Sequence, residues 1–199
     1  MNTRQIALAA AFLALVFLAH AAGRFAQIGG AQLALSISVY VLMALLMAPA
    51  LSWGPLVGIG LGVGILTMLA TSSPVPWANI PAHGGGFLIS AWMAKRFADG
   101  DEPVKVSMQE VILAVGTNIA WILFALFTWL GINPASGFHE NAFERFGMSF
   151  GSGFMAWFLF GFVGVVIPTW IFCAIVLPIL YKAVRPALIR QGMIGGAAA

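Results

Sequence analysis

Charge is what this sequence has least of. Of its 199 residues, nine are Lys or Arg and six are Asp or Glu, so charged residues make up 8% of the chain against roughly 25% in a soluble domain. A folded surface this poor in charge is unsuited to water. With 61% hydrophobic residues and a mean hydropathy of +1.00, lipid must solvate most of it. Cysteine is nearly missing too, and the single Cys173 excludes an intramolecular disulfide. The few basic residues sit at segment ends and form no stripe, which excludes nucleic acid as a partner despite a pI near 9.5. No Gly-x-x-x-x-Gly-Lys-Ser/Thr phosphate loop occurs, so any energy for work comes from elsewhere. Gly58-Ile59-Gly60-Leu61-Gly62 is no nucleotide fingerprint, because no strand precedes it. Nor is there an internal repeat, which argues against a carrier built from two related halves.

What is there is a series of apolar runs near the ~20 residues that a bilayer core requires. The runs predict helices over 5–23, 32–51, from the Ser52–Pro55 turn to 71, 82–97, 108–131 and 152–181. The expected fold is therefore an all-α integral membrane protein with six transmembrane helices, one domain over 1–190 and a disordered tail over 191–199. Ala19-His20-Ala21 also fits a signal-peptide cleavage site, and cleavage there would leave the remaining topology unchanged. Six crossings put Arg4, Lys95, Arg96, Lys105, Lys182, Arg185 and Arg190 on one side, with Arg24 and Arg145 on the other. That asymmetry predicts cytoplasmic N- and C-termini. Pro168 and Pro178 are expected to kink the last helix, where neighbours satisfy the freed carbonyls.

The stretch from Ser72 to Gly86 carries three prolines and three consecutive glycines, and reads as an irregular outer loop capping or lining a small-molecule pocket. The topology gathers other unusual residues on the same side. His20 and Arg24 end the first helix, with Gln27 and Gln32 beyond. Trp77, Asn79 and His83 belong to the Ser72–Gly86 stretch, and His139, Glu140, Asn141, Glu144 and Arg145 to the last outer loop. Each histidine alone reads as an interfacial residue. Together with the amides they point to an outward-facing site, because polar groups at membrane depth are costly unless paired or used. Asn118 and Thr117 lie mid-membrane, where helix–helix bonding and pocket lining both fit. Trp121, at i+3 from Asn118, shares its face and could pack on a flat ligand. Trp77 and Trp129 read as interface anchors, with an aromatic lid as the alternative for Trp77. Thr169 is expected to bond back to its own helix.

Three histidines with Glu140 could ligate a transition metal, but their spacing forms no local motif. A haem would need His20 and His83 to face each other. An intramembrane enzyme using His139 and Glu140 as acid and base lacks an evident nucleophile. No cofactor is expected. In the first helix, Ala7 and Ala11, and Ala10 and Ala14, are small residues four apart. This spacing lets another helix approach closely.

The start Thr3-Arg4-Gln5-Ile6-Ala7-Leu8-Ala9-Ala10-Ala11, the paired Ala-x-x-x-Ala and the six short helices resemble the S component of energy-coupling factor (ECF) transporters. Pro74, then Asn79-Ile80, then a glycine-rich helix start most resemble its tryptophan-transporter-like subgroup. Where that subgroup has Pro-Asn-Ile and an acidic–basic pair, this chain has Ala78-Asn79-Ile80 and Ala82-His83. The resemblance implies a substrate-binding subunit in a bacterial or archaeal cell membrane, itself not an enzyme. It implies uptake of a vitamin-like or amino-acid-like solute from the outer face, as part of an ABC-type importer. A transmembrane coupling subunit and two cytoplasmic ATPases would be its partners. Ala7, Ala10, Ala11 and Ala14 would form the docking face. The solute would meet Arg24, Trp77, Asn79, His83, Asn118, Trp121, His139 and Glu140.

Overall fold

The computed structural model describes residues 1–28, 31–97, 102–132 and 153–194. Among them the chain forms α1 (Thr3–Ala22), a two-residue hairpin of β1 (Gln27–Ile28) and β2 (Ala31–Gln32), α2 (Ser36–Met47), α3 (Trp53–Ala70), α4 (Asn79–Phe97) and α5 (Val106–Gly131). There follow α6 (Phe154–Gly161), a π-helical turn (Phe162–Val166) and α7 (Ile167–Arg190). Three of these helices, α1, α3 and α5, and the continuous run Phe154–Arg190 are long and apolar enough to cross a membrane. Their outward faces carry large apolar side chains such as Leu18, Leu61, Leu69, Ile175 and Ile179. The fold is that of a helical membrane protein.

Sequence explains the first and last helix ends. Asn2 and Gln5 form a capping box at the start of α1: the Asn2 side chain accepts from Gln5 N at 2.9 Å, and Asn2 N donates to Gln5 Oε1 at 3.0 Å. At the far end of the chain, Gly192 takes a left-handed φ of 62°. Met193 N then donates to Leu188 O and Gly192 N to Ile189 O, both at 2.9 Å. This is the Schellman arrangement that satisfies the last carbonyls of α7. Of the stretch expected as a tail, residues 191–194 are held in place and the rest lies outside the described residues: Ile194 is buried in the main core, and Gln191 O accepts from Arg4 Nη1 at 3.2 Å. That bond also joins the two ends of the described chain.

Packing is organised around α2 and α4. Every residue of α2 except Val39 is buried, as expected for a helix apolar on all sides. It is also shorter than the expected 32–51, because residues 33–35 stay outside the helix and Ala48–Ala50 tightens into a 3₁₀ turn. Helix α4 packs against α2, α3 and α5. It begins at Asn79, ahead of the expected 82, so the irregular stretch ends there instead of running on to Gly86. Pro81 is tolerated because it falls in the first turn, where its missing N–H has no intrahelical acceptor. The glycines serve close approach rather than looseness. A Cβ on Gly86 would lie 2.9 Å from the Gly116 carbonyl of α5, and one on Gly64 of α3 would lie 2.6 Å from Ile80 O.

Two cations close the carbonyl ends of helices at opposite ends of the bundle. Lys95 Nζ donates to Ala48 O at 3.1 Å and Leu51 O at 2.7 Å. Arg24 donates through Nε to Ala70 O and through Nη2 to Thr71 O, both at 2.8 Å. Such contacts satisfy orphan carbonyls and oppose the negative end of the helix dipole. The last apolar run is longer than the expected 152–181 and extends through Arg190. Pro168 enters it directly after the π-helical turn, where the regular hydrogen-bond ladder is already interrupted.

Candidate functional site

The described side chains form two apolar clusters. The larger runs from Phe12 and Val16 through α2, α3 and α4 to Leu177 and Tyr181. The smaller joins Trp121 and Ala125 of α5 to Ala156, Trp157, Phe160 and Val166. At the end of the bundle that carries Asn79 and His20 the two clusters do not merge. The gap is a cavity of about 220 Å³.

Its wall is divided by element. On one side Trp121 and Phe124 of α5 meet Trp157 and Phe160 of the last run. The Trp121 and Trp157 rings are 6.3 Å apart, and Trp157 stacks on Phe160 at 5.8 Å. Trp121 Nε1 donates to Phe158 O at 3.3 Å, and Trp157 Nε1 donates to Thr128 Oγ1 at 3.1 Å, so both indole N–H groups are satisfied. On the other side lie His20 of α1, Gln32, Thr71–Pro74, and Asn79 and His83 of α4.

This second side is held by a network of hydrogen bonds. Gln32 Nε2 donates to His20 O at 2.7 Å, and Gln32 Oε1 accepts from Ser72 Oγ at 2.9 Å. One amide thus clamps the end of α1 to the loop after α3. His20 Nδ1 and Ser36 Oγ are hydrogen-bonded at 2.9 Å, tying α1 to α2. Asn79 Nδ2 donates to Pro76 O at 2.9 Å, which fixes the amide as the helix begins. The His20 and His83 rings meet edge to face with centroids 4.9 Å apart, and Tyr40 meets His83 in the same way at 6.0 Å. Below this layer the polar accounting is incomplete: among the described residues, His83 Nδ1 and Tyr40 OH are buried without a hydrogen-bond partner. Such groups are rare in native structures and call for a partner.

Of the residues singled out from sequence, Asn79, His83 and Trp121 line the cavity, together with His20, Gln32, Thr117 and Thr169. Trp77, Arg24 and Asn118 do not. Trp77 is exposed and packs edge to face on Phe127 at 5.7 Å. Arg24 is engaged with the α3 carbonyls, and Asn118 Nδ2 donates to Ala114 O of its own helix at 2.8 Å. The helical period explains Asn118: Thr117, Ala120, Trp121 and Phe124 face the cavity, and position 118 is rotated off that face. His139 and Glu140 lie outside the described residues. Thr169 does not bond to its own helix as expected; its Oγ1 accepts from Ala34 N at 3.2 Å and docks α7 beside the start of α2. Trp129 packs on Phe154 at 5.9 Å.

Sequence reasoning missed Trp157 and Phe160 as lining residues. They sit in a run of aromatics, Phe154 to Phe162, that reads equally well as a lipid-facing belt. Gln32 was visible as a polar residue on the right side, and only its partners reveal its role.

The two-histidine pair is not arranged for haem. An iron held between two imidazoles needs two metal–nitrogen bonds of about 2 Å each plus two ring radii, more than the 4.9 Å between these centroids. Among the described residues no group of three or more His, Cys, Asp or Glu comes together. The helix-one alanines Ala7, Ala10, Ala11 and Ala14 are all exposed and form no part of the internal packing. No protein-family model, curated protein or solved structure matches this chain.

Proposed function

We propose that the chain is the solute-binding subunit of a membrane importer of the ECF S-component kind. Its solute would occupy the cavity beside His20, Asn79 and His83. The observation that supports this most is the cavity itself, about 220 Å³ at one end of a helical membrane protein, with an aromatic side and a polar side. Sites for small molecules are concave and mostly apolar, with a few placed polar groups. The lack of a phosphate loop fits a subunit whose energy comes from partners.

In this reading the chain crosses the membrane six times with both termini in the cytoplasm. Seven of its nine Lys and Arg residues then lie on the cytoplasmic side and the cavity opens outward. The membrane is the cell membrane of a bacterium or archaeon. A transmembrane coupling subunit docks on the exposed alanine face of α1, and two cytoplasmic ATPases hydrolyse ATP. The protein itself catalyses no reaction. Mass spectrometry of small molecules released from the purified protein tests the reading. One compound is expected near one per chain, and it is lost from Asn79→Leu protein. Equal recovery from both proteins, or recovery of lipid and detergent alone, would overturn it.

A further inference from the structure

We infer that the cavity takes an uncharged, flat, two-ring heteroaromatic molecule, with its face on the Trp121–Trp157 side and a hydrogen-bonding edge toward Asn79 and His83. The inference rests on the solute-site reading above and specifies the class of solute.

Size is the first constraint. An apolar cavity of roughly 150 Å³ accommodates benzene. The present cavity, at about 220 Å³, is half as large again. Scaling the six ring atoms of benzene by that ratio gives about nine, a fused bicycle.

Shape follows from the aromatic side. Trp121 is tied to Phe158 O and Trp157 to Thr128 Oγ1, so both rings are fixed, and both line the cavity. Fixed indoles favour offset or edge-on packing with another ring.

The polar side sets the edge chemistry. Asn79 and His83 are four residues apart on α4 and share a face. The Asn79 amide commits its Nδ2 to Pro76 O, and its Oδ1 accepts from no described residue. His83 lines the cavity; its Nδ1 is fully buried and unpaired among the described residues, so it is the other edge of the ring that meets the solute. An amide oxygen accepts only, so the solute must present an N–H or O–H there. The neutral imidazole has one donor and one acceptor nitrogen and suits a neighbouring acceptor or donor. The other amide at the rim, Gln32, has both its ends engaged, to His20 O and to Ser72. No Lys, Arg, Asp or Glu lines the cavity among the described residues. A carboxylate or ammonium on the solute would find no charged partner among these lining residues, and burying a charge without one is strongly unfavourable.

The test measures displacement of tritiated benzimidazole from the purified protein in lipid nanodiscs at pH 8, where benzimidazole is neutral and carries both an N–H and a ring acceptor. The competitors are unlabelled benzimidazole, indene (the same frame without a polar edge) and benzimidazole-5-carboxylate. Indene should compete roughly tenfold less well, and the carboxylate on the order of a hundredfold less well. Asn79→Leu should weaken benzimidazole and leave indene unchanged, which shows that the cavity survives the substitution. A carboxylate that competes as well as benzimidazole overturns the uncharged class, and indene competing equally overturns the polar edge. Either result leaves the cavity as a solute site. Absence of displaceable tracer overturns the solute-site reading together with this one.

Discussion

Gly161→Ala separates the cavity from the packing around it. Gly161 closes α6 directly against Trp121, and a Cβ placed there would overlap the indole ring. Overpacking in a filled core costs about 1–3 kcal/mol, and replacing helical Gly by Ala returns about 1 kcal/mol. What decides the net is whether the obstacle can move. Trp121 borders the cavity of about 220 Å³, so its ring has space to enter once Nε1 releases Phe158 O, a loss of about 1 kcal/mol that the helical gain offsets. The expected net destabilisation is therefore small, about 1 kcal/mol or less, while the displaced ring fills the site. Gly64→Ala is the matched control, since there the Cβ would meet the Ile80 backbone, with the oxygen at 2.6 Å and Cα at 2.7 Å. Backbone cannot turn aside, so α3 and α4 must separate, and with the overpacking at the top of its range less the same helical gain the expected net cost is about 2 kcal/mol. Equilibrium unfolding of both variants in mixed micelles gives the stabilities, and recovery of bound small molecule gives the site. Equal destabilisation by the two substitutions, or full solute recovery by Gly161→Ala, would refute the argument that the cavity is open space beside Trp121.

Three further outcomes are expected. Lys95→Met removes the two charge-assisted bonds to Ala48 O and Leu51 O and should lower unfolding stability by about 2 kcal/mol; a change below a few tenths would mean that water satisfies those carbonyls. Gly192→Ala forces a left-handed φ of 62° on a residue with a side chain and should cost about 1 kcal/mol, with increased proteolysis near the C-terminus as its readout. Ala10→Leu enlarges an exposed position of α1 and should leave stability within about 0.5 kcal/mol. Under the proposed function it should abolish co-purification with a coupling subunit, and unchanged co-purification would remove that face from the docking surface.

Composition alone determined that this chain belongs in lipid. With so few charges and so many apolar residues, most of its surface is suited to lipid, and the spacing of polar interruptions marked the helical segments, though not their ends. Helix starts were harder to read. Asn79-Ile80-Pro81 looks like a loop until one notes that a proline in the first turn loses no bond. Gly84–Gly86 belongs both to the irregular stretch and to the start of the expected helix 82–97, and the approach of Gly60 and Gly116 is the reason for its glycines. Local sequence carries no record of which neighbour will come that close.

The same division holds at the site. Sequence marked the end of the bundle where polar side chains collect, because lipid penalises them elsewhere, and it put Asn79 and His83 there, with Trp121 deeper on the face of Asn118. Only the tertiary structure decided which of those polar groups are occupied and which are open. Arg24 is spent on the α3 carbonyls, Asn118 on its own helix and Gln32 on a clamp between α1 and the loop after α3. Asn79 and His83 keep a free edge beside the indoles. The physical reason is that hydrogen-bond satisfaction depends on groups far apart in the chain, such as Gln32 with Ser72 or Thr169 with Ala34, whereas hydropathy is written residue by residue.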